Sequence, residues 1–160
     1  MIKLTGKINK FWKFLIIFTF IFICSCQINS YTSISEDLAN ESLMGEWKLT
    51  EDSISTLKRE NLWDQNLELK LILKENNSFE LKNIPNCWTN TIQGCSKSGL
   101  YYSGKWSINK DEDSSKWLHL DDVSSNTVHA IPIVKRNGRI LILFTLGDPD
   151  GPNKIFLEKS

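Results

Sequence analysis

An all-β fold, an eight-stranded antiparallel up-and-down barrel, is what the mature part of this chain predicts, on three observations. Short apolar–polar alternations recur along its length, polar or Gly/Pro-containing turns separate them, and only residues 54–63 carry a helical pattern. Alternation at period two places one face of each run against a core and the other in water, and a succession of such runs joined by short turns closes on itself most simply as a barrel or a tight sandwich.

The first strand expected is 46–50, and the next, 67–74, is the clearest. Leu67, Leu69, Leu71 and Leu73 share one face, with Glu68, Lys70 and Lys74 on the other. Asn76-Asn77 interrupts the pattern and 79–82 resumes it, which reads as a hairpin. Runs at 104–109, 117–120, 127–134, 139–146 and 154–159 complete eight strands. Residues 139–146, RILILFTL, are apolar on both faces, so this strand needs a cover outside as well as inside. The helical segment near Leu57 and Trp63 is one candidate cover and a partner protein the other.

Residues 1–25 lie outside this domain. Lys3, Lys7, Lys10 and Lys13 precede the apolar run FLIIFTFIFI with no acid among them, the n- and h-regions of an export signal. Ten residues of helix span about 15 Å, half of the roughly 30 Å hydrocarbon core, which argues against a permanent transmembrane helix. The last residue of the run opens Ile23-Cys24-Ser25-Cys26. That sequence resembles the lipobox of bacterial lipoproteins; the alternative is an ordinary secretory signal that ends in two cysteines. The resemblance implies cleavage after Ser25 and acylation of Cys26. Two or three acyl chains would hold the protein at a membrane without any surface of its own. Gln27 after the cysteine implies, by the enterobacterial sorting rule, the outer membrane with the domain facing the periplasm. Residues 26–42, polar after the cysteine, read as lipidated Cys and flexible tether, and 43–160 as the barrel domain.

Removing residues 1–25 takes away four lysines and no acid, leaving 15 basic against 19 acidic residues and a net charge of −4. A mildly acidic domain without a Lys/Arg run lacks the footprint of a nucleic-acid binder. Cys87 and Cys95 are the remaining cysteines, and in an oxidising envelope they read as a disulfide closing a short loop, or as two free thiols. No zinc-ligand spacing surrounds them.

Gly45-Glu46-Trp47 opens the first strand, and Gly104-Lys105-Trp106 repeats the triplet. A Gly-x-Trp at the start of strand one resembles the lipocalin-like superfamily, and the closing stretch from Gly147 to Lys159 resembles the end of small lipocalin-like bacterial lipoproteins. The resemblance implies that Gly45 and Trp47 close one end of the barrel, with Arg139 packed across the tryptophan. The Thr-Asp-Tyr turn of the lipocalins proper is absent.

Chemical motifs are sparse. Asp148-Pro149-Asp150-Gly151 reads as turn chemistry before a calcium loop. His119 and His129, the two histidines, lie in expected strands, and a pair on adjacent strands could bind a metal or exchange protons. With no third ligand and no nucleophile motif, no enzyme, metal or cofactor is expected. Trp47, Trp106, Trp88, Tyr101 and Tyr102 are the candidate ligand contacts, the last two and Trp88 placed in or beside a long loop from Cys87 to Ser103. Aromatics can line an eight-stranded barrel's cavity or fill it. An open cavity favours a non-enzymatic binder of a small apolar or amphiphilic molecule; a filled one favours an accessory envelope protein with a protein partner.

Overall fold

A computed structural model describes residues 30–66, 68–86, 99–124, 126–147, 150 and 153–160. The elements are β1 (Thr32–Ser33), the one-turn helix α1 (Asn40–Leu43), β2 (Gly45–Leu49), helix α2 (Glu51–Arg59), β3 (Lys70–Leu73), β4 (Ser78–Pro85), β5 (Gly99–Lys110), β6 (Lys116–Asp122), β7 (Thr127–Arg136), β8 (Arg139–Thr145) and β9 (Lys154–Lys159). Every pairing is antiparallel: β2 to β9 follow one another as neighbours, β9 returns to β2, and the eight strands close into the expected barrel.

Local chemistry sets the turns. At the β3–β4 hairpin Asn77 takes a left-handed φ of 56°, which Asn tolerates, and the Asn76 side chain accepts from the Ser78 amide at 3.1 Å. Gly104 is needed for another reason: a Cβ there would stand 1.8 Å from the Asp121 carbonyl oxygen, so β5 and β6 approach as only glycine permits.

Thr50 ends β2 and starts α2. Its side chain accepts from the Ser53 amide as an N-cap, and Glu51 and Asp52 favour the first turn. Ser53 then docks the helix onto β9, donating to the Phe156 carbonyl at 3.1 Å and accepting from the Phe156 amide at 2.7 Å. The Thr50 amide still donates to the Phe156 carbonyl at 3.0 Å, and the hydroxyl takes the Phe156 amide, because the Thr50 carbonyl has turned into the helix to accept from Ile54. Leu57, one turn on, enters the core.

Two expectations are corrected here. The stretch 26–42 is not a tether throughout: from Tyr31 onward it belongs to the barrel. Thr32 and Ser33 pair with Lys135 and Val134 as a ninth strand, and Ile34 and Leu43 are buried in the core. Widely spaced apolar residues, here Ile34, Leu38 and Leu43, carry no period, because they seal a barrel end rather than form a regular face. The cover over residues 139–146 is also different. α2 packs on β9, while the outward Leu141 and Leu143 are buried with Val134 and Phe156 under Tyr31. β8 is therefore not an edge open to a partner on its outer face.

β5 begins five residues before the expected start, so Tyr101 and Tyr102 are strand residues. The alternation fades at Ser103-Gly104, and β4 carries an irregularity between Lys82 and Ile84, where Asn83 has a φ of 60°. A bulge shifts the face that each later residue presents, which hides the pairing from a count of twos.

Candidate functional site

The barrel interior comes first, because a ligand site would be there. Trp47 and Trp106 are 1% and 2% exposed, and Leu71, Leu81, Leu118, Leu120 and Ile142 are at 0%. Side chains so completely covered leave no water-sized space against them, so this part of the interior is filled. Both indoles are satisfied: Trp47 Nε1 donates to the Leu43 carbonyl at 2.8 Å and Trp106 Nε1 to the Lys74 carbonyl at 3.0 Å. Each ties its strand to the turn or helix beside it. Gly45, at φ 123°, holds a conformation that favours glycine.

Arg139 does not cover Trp47. Its side chain is 76% exposed and Nη1 bonds Glu158 Oε2 at 3.1 Å on the outer wall. β8 turns Ile142 and Phe144 inward, and odd-numbered positions of that strand point out. A groove of about 550 Å³ runs beside it, lined by Asp52, Arg136, Arg139 and Glu158 among others. Arg136 is engaged by Asp52 and stacks 5.1 Å from the Phe156 ring centroid. The other end of β2 is closed too: Leu57, Leu62 and Trp63 meet Leu49, Leu69 and Pro85 around a cleft of only about 10 Å³, less than a ligand needs.

The two histidines point to opposite faces. His119 pairs in register with Ala130 and Leu120 with His129, so one imidazole faces out where the other faces in. They cannot share a metal or a proton. His119 Nδ1 lies 2.9 Å from Asn109 Nδ2, beside an outer groove of about 490 Å³ that Trp117 and Ala130 also line. An accepting Nδ1 would leave the neutral ring's proton on Nε2.

His129 instead joins Tyr102 and Asp122. The Tyr102 and His129 rings meet edge to face with centroids 5.8 Å apart. Asp122 is fully buried, and its Oδ1 accepts from the Ser124 amide at 3.1 Å and hydroxyl at 2.9 Å. Burial holds the His129 pKa below the ordinary histidine range, against the opposing pull of Asp122. Sequence reasoning missed this cluster because its members sit on three strands, and only the β5–β6–β7 register aligns them. An inward Asp at the end of an otherwise apolar strand face was the available signal.

Tyr101 is 57% exposed on the outer side of β5, with Val123 and Val128 also exposed. Cys26, Cys87, Trp88 and Cys95 lie outside the described residues, as do Asp148, Pro149 and Gly151 of the proposed turn. Among the described residues no group of three His, Cys, Asp or Glu side chains is placed to hold a metal ion, and no helix is long and apolar enough to cross a membrane. No protein-family model matches the chain, and no curated protein matches it.

Proposed function

We propose that this protein is a lipid-anchored accessory protein of the bacterial cell envelope, held at the outer membrane through Cys26 and facing the periplasm, whose barrel serves as a rigid scaffold for contact with a protein partner. The observation that carries the scaffold reading is the filled interior around Trp47 and Trp106. A barrel that spends its large aromatics on its own core has little room for a ligand of drug or lipid size, which needs roughly 300 Å³ or more. What it offers outward is a stable wall, with Tyr101 exposed on it, the type of side chain that anchors protein interfaces. The lipobox resemblance supports the address, and the absence of a nucleophile motif supports a non-enzymatic role.

A second reading, binding of a small amphiphile, has one observation in its favour. Tyr102, His129 and Asp122 put polar groups beside the apolar core at one end of the barrel.

Two measurements test these readings. Replacing Cys26 by Ala should release the protein from membranes; retention of that variant would sink the anchor. A photo-crosslinking amino acid at Tyr101 in living cells should give a discrete protein adduct, weakened when its cross-strand neighbour Lys82 is changed to Glu. A stoichiometric small molecule recovered from the purified processed protein, with no adduct at Tyr101, would overturn the scaffold reading for the amphiphile.

A further inference from the structure

Tyr31 is the first of the described residues held to the barrel by side-chain contacts. Its ring meets Phe156 edge-on with centroids 5.6 Å apart, its hydroxyl accepts from Lys154 Nζ at 2.9 Å, and the residues after it pair with β7. All of these partners belong to the outer wall of β7, β8 and β9, the wall whose apolar residues Val134, Leu141, Leu143 and Phe156 lie under Tyr31.

Only four residues, 27–30, separate Cys26 from Tyr31. Five Cα steps can stretch to at most about 17 Å. A tether running to residue 42 would have roughly three times this reach. The domain from Tyr31 to Ser160 has 130 residues, for which the radius of gyration is about 14 Å and the diameter of an equivalent sphere roughly 36 Å. The tether therefore reaches about half the domain's width, enough to tilt it but not to turn its far side to the lipid.

We infer that the anchored protein faces the membrane surface with its β7–β8–β9 wall and directs the opposite wall, centred on β4, away from it. This rests on acylation of Cys26 as proposed above. In the ring of eight strands β4 lies four steps from β8. Its outer face carries charge: Glu80 engages both Lys74 and Lys82, and on the neighbouring β3 Lys70 reaches Glu46 of β2 at 3.2 Å. Such a lattice suits water or a polar partner and not a bilayer. Tyr101, on β5 beside β4, is carried on the outward half.

On the membrane-side wall Arg136 is paired with Asp52, Arg139 with Glu158 and Lys135 with Glu36, while Lys154 and Lys159 of β9 bond the neutral Tyr31 hydroxyl and Ser42 carbonyl. On zwitterionic lipid the orientation should then be set by tether length and not by ionic strength.

The test uses the processed full-length protein reconstituted into phosphatidylcholine vesicles that contain a spin-labelled head group. Fluorophores are placed at Arg139→Cys on the near wall and at Glu68→Cys on the far wall, in a background with Cys87→Ser and Cys95→Ser. Quenching at position 139 is expected to exceed that at 68 several-fold, with no change in 0.5 M salt. Ten Gly/Ser residues inserted between Asn29 and Ser30 should bring the two sites close to equal. Equal quenching without the insertion, or stronger quenching at 68, would overturn the inference. Mass spectrometry of the N-terminal peptide separates the two levels: acylated Cys26 with equal quenching removes the orientation alone, whereas an unacylated Cys26 removes the anchor and the orientation with it.

Discussion

His129 shows how one residue's surroundings set a pH response. Its ring is partly buried between Tyr102 and the core, and burial lowers its pKa more than Asp122 raises it. A folded-state pKa below the unfolded value means that the unfolded chain binds the extra proton first. Stability is therefore complete above the ordinary histidine pKa of about 6.5 and falls as pH drops below it. His129→Gln should flatten that fall, measured as urea midpoints at pH 7.5 and pH 5.5. Trp47 is the other telling residue. Trp47→Phe keeps an aromatic ring but leaves the buried Leu43 carbonyl without its indole donor, and should cost about 1–3 kcal/mol in denaturant unfolding.

Elements hold together here through contacts that no hydrophobic pattern encodes. Ser53 joins α2 to β9 with two hydrogen bonds at 1% exposure. Ser53→Ala should cost about 1–3 kcal/mol, against a few tenths for Thr56→Ala on the exposed side of the same helix. On the β3–β4 hairpin, Lys74 first and Lys82 second depress the Glu80 pKa to about 2. A depressed carboxylate pKa stabilises above the unfolded value of about 4.3, and that contribution is lost as pH falls from there toward 2. The pair is near the surface, so the effect is modest, about 0.5–1 kcal/mol at low salt. Glu80→Gln should remove that part of the acid limb, and 0.5 M salt should shrink the difference. Both elements were visible in outline, since leucine alternation marked the hairpin and the pattern around Leu57 marked the helix. Which strand the helix would meet was not, because a serine carries no sign of the carbonyl it will bond.

Across the whole domain, the N-terminal segment is the part most easily misjudged. Ile34 and Leu43 are 4% and 0% exposed, and Ile34 accepts a backbone hydrogen bond from Lys116. A chain that starts at Ser30 should unfold cooperatively, whereas one that starts at Gly45 opens the end of the core that these residues seal. Losing two buried aliphatic side chains costs about 2–5 kcal/mol each, comparable with the stability of a whole small domain. Circular dichroism melts of the two lengths would decide it, and equal melting temperatures would return the segment to the role of a tether.

The eight strands that close the barrel, their antiparallel order and the β3–β4 hairpin were legible in the sequence alone, since period-two alternation and turn residues are local properties of the chain; the two-residue β1 was not. It also supplied the lipobox resemblance on which the anchor rests. Tertiary structure decided the rest: that Trp47 and Trp106 pack into the barrel interior, that Arg139 turns outward to Glu158, that the histidines face opposite ways, and that Tyr31 opens the domain. Each of these depends on register across strands or on packing between distant segments, and neither is written in the spacing of neighbouring residues.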